Sequence, residues 1–192
     1  MTQMLVMFDT AIGPCGLVWG EAGLVAVALP EEDAARTRAR LARRWPEAVE
    51  ATPTPEIWAA ITRIRALLQG QRDDLMDLPL DWSAVADFDR PVLAICRAIP
   101  PGETLTYGEI ARRLGDPSLS RGVGQALGRN PFPIVVPCHR VLGADGKAGG
   151  FSGGSGVETK LKMLTIERAR TGAAPTLFDD DPAFAVRAAP KR

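Results

Sequence analysis

Residues 104–141, TLTYGEIARRLGDPSLSRGVGQALGRNPFPIVVPCHRV, decide how the chain is read. Thr106-Tyr107-Gly108-Glu109 has capping-box spacing, with a hydroxyl at the N-cap and a carboxylate three residues on. It opens a helix, YGEIARRL, that Gly115 closes. After an Asp116-Pro117 turn, SLSRGVGQALGR reads as a second short helix, so the pair forms a helix-turn-helix. Asn130-Pro131-Phe132-Pro133 then breaks the helix. Ile134-Val135-Val136 is expected to be a short buried strand or extended segment, delivering Pro137-Cys138-His139-Arg140-Val141.

The second helix carries Gly122, Gly124 and Ala126 where a major-groove reader needs long hydrogen-bonding side chains. A helix-interior glycine costs about 1 kcal/mol against alanine, so something must require these two. Either the backbone approaches a narrow groove or phosphate chain, with Arg121 as its one long cation, or the glycines allow close helix packing.

His139 is the only histidine in the chain, and it follows a cysteine that follows a proline. A free thiol is only a few per cent thiolate at neutral pH, so a nucleophilic Cys138 needs a base or cation beside it, and His139 and Arg140 are the candidates. Strand neighbours point to opposite faces, so a bridging water is the favoured link between Cys138 and His139. Downstream, GVETKLKMLTIERAR reads as a helix whose buried stripe is Val157, Leu161 and Leu164, with Glu167 continuing that face. A carboxylate there needs a donor, and His139 is one candidate; a packing role for Cys138 and a solvated Glu167 are the plainer reading. Between them, residues 143–156 hold seven glycines in fourteen positions, a loop able to offer backbone N–H groups to a ligand oxygen. Lys147 is followed by Ala148, so it is not a phosphate-binding P-loop.

Upstream, short apolar runs with Gly/Pro punctuation over the first 30 residues predict two or three antiparallel strands. EEDAARTRARLARRW predicts an Arg-rich helix with an acidic first turn, and Trp58, Ile61, Ile64 and Leu68 mark a second that Gly70 stops. LMDLPLDW is expected to return as a strand. Val92, Ile95, Cys96 and Ile99 share one face of a further helix, which makes Cys96 a packing residue. The fold class is α/β (α+β): a strand-rich N-terminal domain over 1–85, a mostly helical domain over 86–170 and a flexible tail over 171–192.

The 192 residues, 46% apolar and 24% charged, exclude fibrous and wholly disordered classes. Three scattered cysteines fit neither a disulfide framework nor a metal ribbon, and no signal or membrane segment is visible. A cytoplasmic protein is expected. Lys/Arg and Asp/Glu balance at 23 each, yet residues 1–90 hold 9 basic against 14 acidic and residues 103–170 hold 10 against 6. A polyanion is therefore expected to meet the second half and be repelled by the first.

Tyr107, Arg121, Asn130, Pro137-Cys138-His139-Arg140-Val141, the Gly-Gly-Phe-Ser-Gly-Gly loop and Glu167 together resemble the O6-alkylguanine-DNA alkyltransferases, closely over 88–170 and in outline before that. The resemblance implies a ribonuclease-H-like N-terminal domain and single-turnover, direct-reversal DNA repair without a cofactor. The alkyl group of O6-alkylguanine, with O4-alkylthymine as a further candidate substrate, would pass from an everted base to Cys138. It further implies that His139 acts as base through water, Glu167 holds the other imidazole nitrogen and Tyr107 donates to guanine N3. Asn130 would order the turn before the acceptor. Arg121 would fill the gap left by the base from the minor-groove side, with Arg140, Gly122, Gly124 and Gln125 also against DNA. Pro133, Val141, Phe151 and Ser152 would line the pocket, Ser152 reaching O6 and the carbonyls of Cys138 and Val141 reading the exocyclic amine.

Some features depart from the family. The first domain has Cys15 and no histidine, so the structural zinc of some members is not expected. Phe151 stands where many members have tyrosine, and two extra residues precede the last helix. Pro175-Thr176-Leu177-Phe178-Asp179 in the tail loosely resembles sliding-clamp docking motifs without their leading glutamine. A monomer is expected. The competing readings are a non-catalytic lesion-binding protein that recruits other repair factors, whose members carry tryptophan at the acceptor position, and a transcription regulator using the same helix-turn-helix.

Overall fold

The computed structural model describes residues 2–148, 151 and 154–169. Gly149, Gly150, Ser152, Gly153 and the tail from residue 170, with its clamp-like stretch, lie outside the described residues.

The N-terminal apolar runs pair as three antiparallel strands, β1 (Met4–Thr10), β2 (Gly13–Gly20) and β3 (Gly23–Ala28). Gly23 is required at the second hairpin: its φ is +122°, and an added Cβ would lie 2.4 Å from the Pro79 carbonyl oxygen. Next comes α1 (Ala34–Arg44), capped by Asp33, whose side chain accepts from the Arg36 amide at 2.7 Å. The expected acidic first turn is absent, because Glu31 and Glu32 precede the helix and pair back onto Arg40 and Arg36. Strand β4 (Val49–Glu50) adds to β1 in parallel, giving the sheet order β3-β2-β1-β4; two residues are too few to leave a period in the sequence.

Every second residue of β2 serves a different face. Cys15, Leu17 and Trp19 pack with α2 (Pro55–Leu67), whereas Val18 packs with Leu41 of α1, so the sheet is covered on both sides. The buried face of α2 is Ile57, Ala60, Ile61, Ile64 and Leu67. Trp58, expected in that stripe, is one position off it and exposed. Residues 75–82 form no strand, only one bridge from Leu80 to Leu24. Pro79 lacks a donor, and the Asp73, Asp74 and Asp81 side chains accept the Leu75, Met76 and Ser83 amides that a ladder would need.

The remaining elements are α3 (Asp89–Arg97), β5 (Leu105–Thr106), α4 (Tyr107–Arg113), α5 (Ser120–Gly128), β6 (Val141–Leu142) and α6 (Val157–Ile166). The Thr106–Glu109 capping box on α4 is fully formed, and a single 3-10 turn, Pro117–Leu119, leads into α5. One hydrophobic cluster runs from Leu17, Trp19 and Val27 through Ile61 and Ile64 to Val92, Cys96, Phe132 and Cys138. The Val27 amide also donates to the Pro131 carbonyl at 2.8 Å. Sheet edge β3 therefore braces the loop that carries the Cys138 turn.

Candidate active site

Cys138, His139 and Arg140 form one 3-10 turn, and Ile134–Val136 is a tight turn instead of the expected strand. The Asn130 side chain explains the difference. Its amide nitrogen donates to the Val136 carbonyl at 2.8 Å, and its oxygen accepts the Phe132 amide at 2.9 Å, folding the segment back on itself. Ile134 is held at φ +77°, a costly conformation for a β-branched residue, while Phe132, Ile134, Val135 and Val136 are all buried. Asn130 thus orders the turn as expected.

The turn sends its side chains in two directions. Cys138 lines a cleft together with Tyr107, Asn130, Pro133 and Phe151. His139 and Arg140, each 1% exposed, face Glu167, the C-cap of α6. His139 Nε2 lies 2.9 Å from Glu167 Oε1, and Arg140 donates through Nε at 2.8 Å and Nη2 at 2.7 Å to the same carboxylate. Arg140 Nη1 donates to the Ile99 carbonyl. Arg140, expected from the sequence to lie against DNA, is instead the buried counter-ion of Glu167.

Burial opposes ionisation of Glu167, but its contacts to His139 and Arg140 outweigh it and hold the pKa at about 2. Burial lowers the His139 pKa against the pull of Glu167, so the imidazole is neutral and the permanently charged Arg140 keeps the carboxylate ionised. Ionised Glu167 can only accept, which places the His139 proton on Nε2. Nδ1 is then a buried lone pair, with no hydrogen-bond partner among the described residues.

Burial pushes the Cys138 thiol up, against the opposing effects of the Asn130 side chain, Lys160 and the Cys138 and His139 amides. The sulfur therefore rests as a thiol. Burial likewise raises Tyr107, keeping its phenol protonated. Cys96 is wholly buried and also pushed up, consistent with a packing role.

Lys160 is the residue that sequence reasoning missed. Its side chain is fully buried, its Nζ donates to the Val141 carbonyl at 2.6 Å, and it lies 6.0 Å from the Tyr107 ring centroid and 5.8 Å from that of Phe151. Burial lowers its pKa to about 8. The α6 stripe is rotated from the expected one: Thr159, Lys160, Met163 and Leu164 face inward, while Val157 is exposed. A lysine among polar neighbours gives no periodic signal. Val141 is fully buried, with its carbonyl turned to Lys160.

Arg121 and Gln125 are exposed on α5. A Cβ on Gly122 would lie 3.0 Å from Phe88 Cζ, and one on Gly124 would lie 3.8 Å from the Tyr107 ring. Close packing thus accounts for Gly122, while Gly124 has room for a methyl group. Ser152 falls outside the described residues.

Such an arrangement already defines a class: a helix-turn-helix scaffold presenting one sheltered thiol, with its own proton acceptor, at the floor of a cleft. Residues 87–169 match the family described as 6-O-methylguanine DNA methyltransferase, DNA binding domain. A methylated-DNA–protein-cysteine methyltransferase of Mycolicibacterium paratuberculosis is 43% identical over 129 residues, 67% of this chain and 76% of that protein. One from Methanothermobacter thermautotrophicus is 37% identical over 152 residues, 79% of this chain and 78% of that protein. The crystal structure of Mycobacterium tuberculosis OGT in complex with DNA superposes with a TM-score of 0.70 at 32% identity, covering 85% of this chain and 92% of that one. The chain belongs to the methylated-DNA–protein-cysteine methyltransferase family.

Proposed function

We propose that Cys138 is the acceptor in direct-reversal DNA repair, taking the alkyl group from O6-alkylguanine in an everted nucleotide. The protein acts on DNA by alkyl transfer to a cysteine, as its family membership establishes. The observation that carries the assignment to Cys138 is its place in the cleft, next in the turn to a buried His139 that is hydrogen-bonded to Glu167 through Nε2 and has its Nδ1 lone pair available as base.

The thiol proton passes through a water to His139 Nδ1, and the resulting imidazolium is stabilised by Glu167. The sulfur attacks the alkyl carbon in line, an S–C bond forms, and the C–O6 bond breaks. Its electron pair passes into the guanine ring, where N3 takes the phenol proton of Tyr107, so that a neutral base leaves; the imidazolium proton then returns to the tyrosinate through solvent. The thioether does not hydrolyse, so each molecule reacts once.

A base inside a duplex cannot meet this sulfur, and eversion costs a few kcal/mol that an inserted side chain can offset. Arg121 supplies that insertion, with Gly124 and Gln125 on the same helix against the minor groove. Pro133 and Phe151 border the alkyl group. Every residue in this scheme comes from one copy of the chain, in keeping with a monomer, and no helix among the described residues is long and apolar enough to cross a membrane. The cytoplasm is the proposed location, and a tail contact with the sliding clamp remains a secondary proposal.

The test is to incubate the protein with duplex DNA containing O6-methylguanine and map its mass. One added methyl group on the Cys138 peptide is expected. Tight binding with unchanged mass would instead indicate a lesion-binding protein.

A further inference from the structure

The cleft above Cys138 has a second wall, built by the half of the chain in which the sequence shows no chemical motif. Arg40, Leu41, Arg44 and Trp45, at the C-terminal end of α1, line it opposite Tyr107 and Asn130. We infer that Arg44 binds a phosphate of the DNA strand that carries the everted nucleotide, making α1 part of the DNA-binding surface. The inference deepens the function proposed above and rests on it.

Charge selects Arg44 among the five arginines of α1. Arg36 pairs with Glu32, Arg38 with Glu50 and Arg40 with Glu31. Among the described residues Arg43 and Arg44 have no carboxylate partner, and of these two only Arg44 lines the cleft. Glu31, Glu32 and Glu50 are thus each matched to an arginine of α1, and Arg44 is left, among the described residues, as the unmatched cation at the cleft. The Arg44 guanidinium lies 5.0 Å from the Trp45 ring centroid. This cation–π contact steadies the guanidinium without occupying its N–H groups with a carboxylate, as a phosphate contact requires. With the base on the floor against Cys138, the flanking phosphates must lie at the mouth.

The test measures duplex affinity by fluorescence anisotropy in a Cys138→Ser background, so that no alkyl transfer intervenes, using DNA that contains O6-methylguanine. One phosphate contact contributes about 0.9 to the slope of log affinity against log salt, which is about a 3.5-fold change between 50 and 200 mM salt. Arg44→Gln is expected to bind more weakly at 50 mM and to lose about 3.5-fold less of its affinity on going to 200 mM than the parent does. Arg44→Lys should retain most of the parent's salt response. Arg44 is exposed, and the urea-unfolding midpoint of Arg44→Gln, expected to match the parent's, serves as the check on folding.

An unchanged salt response in Arg44→Gln would overturn the inference, as would an equal change in Arg43→Gln, which would mark a general charge effect. Failure of wild-type protein to gain a methyl group would refute the proposed chemistry while leaving the Arg44 result to be read separately.

Discussion

Replacing Glu167 with glutamine should damage the protein twice, and the two effects can be separated. The carboxylate accepts from His139 Nε2 and from two nitrogens of Arg140, and its side chain is only 4% exposed. Removing one partner of a buried ion pair costs about 3–5 kcal/mol, because Arg140 keeps its charge and is left with the Ile99 carbonyl. The lowered pKa gives a similar magnitude. A fall from the ordinary 4.5 to about 2 amounts to about 3 kcal/mol, stability that is present above pH 4.5 and lost as the pH falls towards 2. The neutral amide also lacks the negative charge that stabilises the imidazolium formed when Nδ1 takes the thiol proton. That loss should slow alkyl transfer by about 10²–10⁴-fold. Urea unfolding measures the first effect and single-turnover reaction with O6-methylguanine duplex the second. The double variant Glu167→Gln/Arg140→Met should recover most of the stability and none of the rate, and the rate deficit should shrink in alkaline buffer, where the thiol ionises without its base. Recovery of rate together with stability would refute the charge argument and make Glu167 a purely structural residue.

Other perturbations follow from the same geometry. Arg121→Ala should slow repair of duplex DNA much more than reaction with free O6-benzylguanine; equal losses would remove Arg121 from base eversion. Lys160→Met should shift the pH profile of Cys138 alkylation by iodoacetamide to higher pH, since it removes the positive charge that opposes the burial effect on the thiol. An unshifted profile would mean that this charge is not felt at the sulfur. Gly124→Ala should stabilise the fold by up to about 1 kcal/mol, as the new methyl group meets the Tyr107 ring at ordinary contact distance. Its duplex affinity should nonetheless fall, and unchanged affinity would show that the α5 backbone does not approach DNA there.

Features with a period or a local chemical signature were legible in the sequence. The capping box at Thr106 and Glu109 and the three N-terminal strands rest on residue types at fixed spacing, whereas the pairing of His139 with Glu167, 28 residues apart, is implied by the family resemblance. Misreadings occur where tertiary contacts overrule local preference. Ile134–Val136 is as β-prone as any segment in the chain, yet two hydrogen bonds from one asparagine turn it back on itself. Arg140 follows His139 and looked like a surface cation because nothing local shows that α6 ends beside it. Lys160 is hidden for the same reason: burial of a lysine depends on the Val141 carbonyl, 19 residues away. The N-terminal wall of the cleft has no local signature, because it exists only once β3 braces the Asn130–Phe132 loop.

A resting thiol, in place of a resting thiolate, follows from an acceptor that is used once. An exposed, ionised cysteine would be consumed by any small electrophile or oxidant, and each such event would cost one whole protein molecule. Burial holds the proton on Cys138, so attack has to be coupled to proton transfer. The array supplies the acceptor without supplying the charge in advance: His139 is neutral, and Glu167, already ionised by Arg140, stabilises the imidazolium only when it forms. Selectivity is thus exercised before the irreversible step, by what can enter the cleft. Arg140 is what makes this work. Without a permanent cation behind it, the Glu167 carboxylate would take up a proton in so buried a site, and His139 would lose the partner that makes its own protonation affordable.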